Sequence, residues 1–489
     1  MAGGNISSEK IDLLVYGPNK PIVDNGFSDQ FVLHAFETTA DLERLMPAVA
    51  EKIRGAAVTY NSVRGDSKTL ARFPKLEIVS SFGVGYDHID ANYAREHNIV
   101  VTNTPDVLTE EVADIALGLL IATLREFIKA DRYLRSGLWM TQNFPLSVGS
   151  LRDRKVGMVG MGRIGQAIAR RLDASRVPVV YHSRKVADGV SYKHYPDLIE
   201  MAKAVDTLIV IIPGGAATAY NSVRGDSKTL ARFPKLEIVS SFGVGYDHID
   251  ANYAREHNIV VTNTPDVLTE EVADIALGLL IATLREFIKA DRYLRSGLWM
   301  TQNFPLSVGS LRDRKVGMVG MGRIGQAIAR RLDASRVPVV YHSRKVADGV
   351  SYKHYPDLIE MAKAVDTLIV IIPGGAATAK MINADVMKAL GPRGVIINVA
   401  RGSVVDEPAL IAALKSGTIL AAGLDVFANE PNVPDELKTM QNVVLLPHVG
   451  SASVVTRNAM DQLVVDNLKA WFAGKPPLTP VPETPVKGR

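Results

Sequence analysis

The sequence predicts an α/β protein built on parallel sheets, and three observations carry that prediction. Short apolar runs that end in turn residues alternate with stretches of helical period from Ile11 onward. A glycine turn, Gly160-Met-Gly162-Arg-Ile-Gly165, stands between an apolar run and a helical pattern. And residues 60–219 return letter for letter as residues 220–379, so that turn recurs as Gly320-Met-Gly322-Arg323-Ile324-Gly325.

In chain order, Ile11–Gly17 and Phe31–Phe36 read as strands. Asp41–Ile53 has apolar residues at helical spacing (Leu42, Leu45, Met46, Val49, Ile53), with Thr38 and Thr39 placed to cap it. Ala56–Tyr60, Leu76–Ser81 and Ile99–Thr102 complete a first parallel sheet. After the turn Asn103-Thr-Pro-Asp106, one long helix is expected from Thr109 to about Leu134, with Glu110 and Glu111 in its first turn, where the helix dipole favours acids. Strand Lys155–Val159, helix Arg163–Leu172, strand Val179–His182, helix Pro196–Ala204 and strand Thr207–Ile212 form one βαβαβ half of a dinucleotide-binding fold. At Tyr220 the chain restarts. After the second copy, strands Val395–Val399, Leu420–Asp425 and Val443–Leu446 supply the missing half, and a long helix follows Ser451.

Composition narrows the function. The chain has 489 residues, 47% hydrophobic and 22% charged, with net charge +4 and no basic run, which gives nucleic-acid binding little support. It has no cysteine, so a disulfide framework or thiolate metal site is excluded, and no metal ligand set is expected. The N-terminus shows no apolar signal segment, and the longest apolar runs are too short to span a bilayer. Those features lead to the expectation of a cytoplasmic protein with no membrane partner.

The glycine turn is the strongest single motif. Its first glycine permits a tight turn, its second lets backbone approach a pyrophosphate at the helix N-terminus, and its third lets helix and strand pack closely. After the next strand, an enzyme that prefers NAD places an acidic residue for the ribose hydroxyls. This chain has Ser343, Arg344 and Lys345 (Ser183 and Arg184 in the first copy), which suit a 2′-phosphate and so NADP(H), with NAD(H) remaining open. A solvated basic loop would read the same way. Ser81-Phe-Gly83-Val84-Gly85, repeated as far as Val244 and Gly245, offers backbone amides to a carboxylate, though on this stretch alone a plain turn is the better account. Arg401, Glu430 and His448 each fall at or just past the end of a predicted parallel strand, where doubly wound sheets bind ligands. An arginine fork suits a carboxylate, and a glutamate beside a histidine keeps the imidazole ready to donate a proton. Singly, each is more often structural, as a surface arginine, a capping glutamate or a core histidine, and spacing alone does not overturn that.

The stretches VSSFGVGYDHID (79–90), VTNTPDVLTEEVADIALGLL (101–120), GMVGMGRIGQAIARRL (157–172), INVARGSVVDEPAL (397–410), AAGLDVFANEP (421–431) and LLPHVGS (445–451) together closely resemble the D-isomer-specific 2-hydroxyacid dehydrogenases, most of all their glyoxylate/hydroxypyruvate reductase branch. The resemblance implies a Rossmann dinucleotide-binding domain and a flavodoxin-like substrate domain. It implies a reductase that takes hydride from NADPH to the carbonyl carbon of a small 2-oxo acid, usually as a homodimer. By position, His448 matches the acid/base, Glu430 its paired acid, Arg401 the residue that binds the substrate carboxylate, and Val84 and Gly85 the amide loop. Asp425 matches the residue that orients the nicotinamide carboxamide, and Thr269 a contact near the cofactor. Gly320, Gly322, Arg323, Ile324, Gly325, Ser343, Arg344, Lys345, Pro373, Thr378, Ala400, His448 and Gly450 make up the rest of the expected cofactor site. Gly160, Gly162, Gly165, Ser183 and Arg184 are expected to be non-productive. A second reading, a catalytically impaired NAD(P)-binding protein like the superfamily's co-repressors, stays open, as does a duplicated or misassembled gene product.

The duplication is where the chain departs from the family. Removing one 160-residue copy from 489 leaves 329 residues. The expected division is a substrate domain at 1–102, completed by 454–489, a surplus at 103–262, and a complete nucleotide domain at 263–453. Half a doubly wound sheet should leave an edge strand and apolar faces open. One escape is that the first long helix packs on the second within the chain.

Overall fold

The computed structural model describes residues 10–16, 31–36, 38–59, 65–82, 89–102, 109–147, 149–152, 154–183, 185–209, 238–240, 249–264, 266–473, 475–481 and 484. The chain divides into two compact units, Met1–Glu110 and Glu111–Arg489.

The first unit holds a five-stranded parallel sheet. Its strands are Ile11–Tyr16, Phe31–Phe36, Ile53–Thr59, Ile78–Phe82 and Val100–Thr102, in the spatial order second, first, third, fourth, fifth. That order is flavodoxin-like, as expected. Helix Thr39–Val49 starts in a capping box, with Thr38 Oγ1 accepting from the Asp41 amide at 3.1 Å. It lays Leu42, Met46 and Val49 into a core with Val79 and Ala94. The helix ends four residues before the expected Ile53, which instead opens the third strand and is fully buried. Ile53 fits the helical spacing, but its β-branched side chain serves the sheet better.

The second unit is organised around a seven-stranded, wholly parallel sheet. In spatial order its strands are Lys353–His354, Val339–His342, Val316–Val319, Thr367–Val370, Val395–Asn398, Ala421–Leu424 and Val443–Leu445. This is a complete Rossmann sheet, with its switch point between Val316–Val319 and Thr367–Val370. The first copy builds its own four-stranded sheet, ordered Lys193–His194, Val179–His182, Val156–Val159, Thr207–Ile209, in the same register as its twin.

The expected single long helix is broken in both copies. Glu126 and Glu286 sit at φ 45° and 52°, so each segment splits into a 16-residue and a 9-residue helix: Thr109–Leu124 with Phe127–Arg135, and Thr269–Leu284 with Phe287–Arg295. The two longer helices cross tightly. A Cβ on Gly118 would lie 2.4 Å from Ile281 Cγ2, and one on Gly278 would lie 2.5 Å from Ile121 Cγ2. The contacts around this crossing are reciprocal. Arg170 Nε donates to Ala334 O and Arg330 Nε to Ala174 O, both at 3.0 Å, while Arg125 pairs with Glu271 and Arg285 with Glu111. Identical surfaces facing one another in this way make an isologous contact, here inside one chain. The escape route for the surplus copy is therefore the packing observed. Helix Arg163–Ala174 is closed off against its twin Arg323–Ala334, with Ile168, Leu172, Ile328 and Leu332 fully buried in one shared core. Thr207–Ile209 pairs on one side only among the described residues.

The C-terminal segment differs from expectation. It is expected to complete residues 1–102, yet its described contacts run to the repeated segment: at its start the Val454 amide donates to Ser147 O of the first copy at 2.8 Å, and the rest reach the second copy. Helix Val454–Phe472 lies on strand Ile238–Ser240, the Val481 amide donates to Val261 O at 2.9 Å, and Thr262 bridges Pro480. Both copies carry the strand VVT, but Val260 is 9% exposed whereas its twin Val100 is 56% exposed. Among the described residues, only the second copy's strand is paired on its outer side. No described helix is long and apolar enough to cross a membrane.

Candidate active site

Three adjacent strands of the seven-stranded sheet deliver the candidate residues. Val395–Asn398 ends in Ala400-Arg401-Gly402, where the buried Asn398 side chain accepts from the Ala400 amide (3.1 Å) and donates to Arg401 O (3.2 Å). Those bonds fix the backbone that presents Arg401, whose Nη1 donates to Ala400 O at 2.8 Å. Asn398 was missed in the sequence; it lies inside INVARG, but an asparagine in an apolar strand carries no signal of its own. Gly402 packs directly under the next strand's turn. A Cβ there would lie 1.8 Å from Phe427 C and 1.9 Å from Phe427 O.

Ala421–Leu424 leads to Asp425, Phe427 and Glu430. The Phe427 amide donates to Glu430 Oε1 at 3.0 Å, which turns the other carboxylate oxygen toward His448. The peptide Glu430–Pro431 is cis. Val443–Leu445 then leads to His448, whose backbone is left-handed at φ 55°. The His448 amide donates to Asp425 O at 2.9 Å, and Asp425 Oδ1 and Oδ2 accept from the Val449 and Gly450 amides at 2.6 and 2.8 Å. Asp425 thus grips the histidine's own loop from beneath.

The centre of the site is the pair His448 Nδ1 and Glu430 Oε2, 2.8 Å apart, with side chains 29% and 20% exposed. Burial alone would lower the His448 pKa, but the Glu430 charge and hydrogen bond outweigh it, and the pKa stands above that of an ordinary imidazole. Burial likewise pushes Glu430 upward, yet His448, the Phe427 amide and Arg401 together hold it below the usual range. Burial raises Asp425 to about 7, against the pull of His448 and of the two amides. With Nδ1 committed to Glu430, Nε2 is the nitrogen left for proton transfer.

On the cofactor side, Gly320 has φ 106°, and a Cβ there would meet Ile371 O at 2.3 Å, so the turn admits only glycine. Gly322 caps helix Arg323–Ala334 without a side-chain bond, no acidic residue stands in its first turn, and the space around it is open. That is the environment a pyrophosphate needs. Gly325 rests on Gly320 O, Ile324 is half-buried and Arg323 is exposed beside Asp266. Ser343 Oγ donates to Lys345 O, leaving the Arg344 and Lys345 side chains exposed past the end of strand Val339–His342.

Residues 117–235 and again 277–450 match the NAD binding domain of the D-isomer specific 2-hydroxyacid dehydrogenases, and residues 14–170 match their catalytic domain. The chain belongs to that family. Glyoxylate/hydroxypyruvate reductase A HPR2 of Arabidopsis thaliana is 50% identical over 266 residues, 54% of this chain and 85% of the relative. Glyoxylate reductase of Pyrococcus furiosus is 41% identical over 300 residues, 60% and 87%. Among solved structures, the NADPH-dependent glyoxylate/hydroxypyruvate reductase of Sinorhizobium meliloti, in complex with NADP and malonate, is 50% identical. The alignment covers 69% of this chain and 99% of that one, with a TM-score of 0.53.

In this 2-hydroxyacid dehydrogenase, Arg401, Glu430, Asp425, Ala400, His448 and Gly450 come together at the ends of adjacent strands. Thr378 Oγ1 donates to Pro373 O at 2.8 Å in the turn after Thr367–Val370, so those two share one loop. Thr269 begins the helix beside Asp266. Val84, Gly85, Val244, Gly245 and Arg184 lie outside the described residues. The first copy repeats the glycine turn, with Gly160 at φ 100°, Gly165 resting on Gly160 O, Gly162 as the helix cap and Ser183 Oγ on Lys185 O. It has no counterpart of Arg401, Asp425, Glu430 or His448, because the repeated segment stops before them.

Proposed function

We propose that this chain is an NADPH-dependent reductase that interconverts small 2-oxo acids and D-2-hydroxy acids of the glyoxylate/hydroxypyruvate class. The observation that carries the proposal is the Glu430–His448 pair, held beside Arg401 at the carboxyl ends of the Rossmann strands. The names of its relatives point the same way. NADPH, when bound, supplies the hydride. The Gly320–Gly325 turn and the helix N-terminus behind it would hold the pyrophosphate, with Thr269, Pro373, Thr378, Ala400, Asp425 and Gly450 along the rest of the cofactor. The Arg401 fork pairs with the substrate carboxylate and polarises its carbonyl. His448 Nε2 donates the proton to the oxygen that becomes the hydroxyl, and Glu430 holds the ring by its other nitrogen throughout. The amides at Val84–Gly85 or Val244–Gly245 are the second carboxylate contact in this reading. The test is NADPH oxidation with glyoxylate and with hydroxypyruvate, and neither being turned over would sink the proposal.

The preference for NADPH rests on Ser343, Arg344 and Lys345. Changing Arg344 and Lys345 together to Ala should lower the ratio of kcat/KM for NADPH to that for NADH by about ten- to a hundred-fold, since a hydrogen bond to a charged group contributes about 1.5–3 kcal/mol. An unchanged ratio would return the pair to the status of a solvated loop.

The two-fold contact that the resemblance gives to a homodimer is filled here by the chain's own first copy. Sedimentation should therefore find a 53.0 kDa monomer, or a dimer in which Thr109–Leu124 stays protease-resistant. A dimer with that helix readily cut would contradict the internal pairing. The same reading assigns a cytoplasmic address, which cell fractionation would check.

A further inference from the structure

We propose that the first copy of the repeated segment braces the catalytic histidine, and that Arg125 is a positioning residue for His448. The proposal rests on the function argued above. His448 holds a left-handed backbone that a non-glycine residue keeps only when its surroundings enforce it. Asp425 grips its loop from one side. The other side is held by the first copy. Arg125, only 3% exposed, donates through Nη2 to the carbonyl of Val449, the residue after His448, at 2.6 Å. Its Nε donates to Ser147 Oγ at 3.0 Å, and Ser147 Oγ in turn donates to Ala452 O at 3.0 Å. Its Nη1 pairs with Glu271, which is buried as well. Upstream of the histidine, Asp131 Oδ1 accepts from the Leu445 amide at 3.1 Å, and Arg135 Nη2 donates to Val443 O at 2.7 Å. The segment that carries His448 is thus pinned at both ends by one helix and one loop of the first copy.

The second copy contains the same residues as Arg285, Asp291, Arg295 and Ser307, but among the described residues none of them hydrogen-bonds to residues 443–452. Arg285 pairs with Glu111, and Asp291 with Arg132 and Arg295. The reason is in the sequence: the repeat ends before any counterpart of residues 443–452, so the first copy has no such segment to offer. The duplication therefore provides a control at the equivalent position, where the ion pair is less buried. The same substitution at 125 and at 285 breaks an ion pair between the copies in both cases, and a contact to the His448 loop in only one.

Kinetics with NADPH and hydroxypyruvate on Arg125→Ala, Arg125→Lys and Arg285→Ala would test this. Arg125→Ala should lower kcat by on the order of 10- to 100-fold, the scale of a small misplacement of a reacting group. The KM for NADPH should stay near the wild-type value, and Arg125→Lys should recover part of the loss. Arg285→Ala should stay close to wild type. Equal kcat losses in the two alanine variants, or wild-type kcat in Arg125→Ala, would overturn the brace. If Arg125→Ala does not fold, Ser147→Ala against Ser307→Ala makes the same comparison with the loss of one hydroxyl. A wild-type protein without turnover would defeat the functional reading alone. The brace would then be read from the His448 imidazole signal by NMR, assigned with His448→Gln. That signal should move in the first-copy variant and not in its second-copy control, and any other pattern overturns the proposal.

Discussion

Replacing His448 with Gln is expected to lower kcat by about 10²- to 10⁴-fold, the range that a positioned general acid contributes, while leaving NADPH binding in place. Steady-state kinetics together with cofactor titration would check it, and a variant that keeps kcat would remove His448 from the chemistry. The geometry also fixes the direction of the pH dependence. Reduction requires the imidazolium, and Glu430 raises the His448 pKa above its ordinary value despite burial. The reduction rate should therefore hold on the acid side and fall as pH rises through that raised value. Oxidation of the hydroxy acid needs the neutral ring and should rise through the same value. Glu430→Gln keeps the shape but removes the charge, so the fall in reduction should move to lower pH.

Stability follows from the same two shifts. A histidine raised in the folded state stabilises fully below its unfolded pKa, and that contribution is lost as pH rises through the folded value. A glutamate depressed in the folded state stabilises above its unfolded pKa, and that is lost as pH falls through the folded value. The pair therefore supports the fold between those two folded-state limits, with its full effect between the ordinary carboxylate and imidazole pKa values.

Gly402→Ala should be close to a complete loss of function, with a destabilisation of about 3 kcal/mol or more, at the upper end of overpacking effects. The added methyl would sit 1.8 Å from a backbone carbon of Phe427. No side chain can rotate away from that contact, so one strand end must move from the other. One end carries Arg401, and the other carries the Phe427 amide that orients Glu430. Even a tolerated variant would thus separate the substrate-binding arginine from the acid/base pair. Thermal unfolding and residual kcat/KM would measure the two effects. A stable variant with wild-type kinetics would contradict the close approach described here.

Much of the site was legible in the letters. Arg401, Glu430 and His448 were found from their places at predicted strand ends and from a resemblance, and the structure brings them together. The glycine turn was legible because the φ of Gly320 and the close contacts of Gly320 and Gly325 exclude other residues. Gly402 and Arg125 were not, since their work depends on backbone groups that lie far away in sequence, and Asn398 was not, since its bonds to Ala400 and Arg401 exist only once the strand end has turned. The break at Glu126 was also hidden, because apolar periodicity runs through a single left-handed residue without interruption.

The repeat separates what the sequence determines from what it does not. Both copies have the same strands, the same broken helix, the same glycine turn and the same ion pair between helix and helix, Asp114 with Arg171 and Asp274 with Arg331. Those features are local or lie within the segment, so identical letters produce them twice. The surroundings differ. Trp139 is 4% exposed and packs edge-on against Phe427 at 5.8 Å, whereas its twin Trp299 is 64% exposed; Leu134 is 2% exposed and Leu294 55%. Ile275, Ala276, Leu279 and Leu280 are fully buried, while Ile115, Ala116, Leu119 and Leu120 are only partly so. The second helix lies between its own complete sheet and the first copy. The first helix has only half a sheet behind it, but its arm reaches the strand that carries His448. Residues 380–450 occur once, and only the tertiary structure could decide which copy would fill the space beside them.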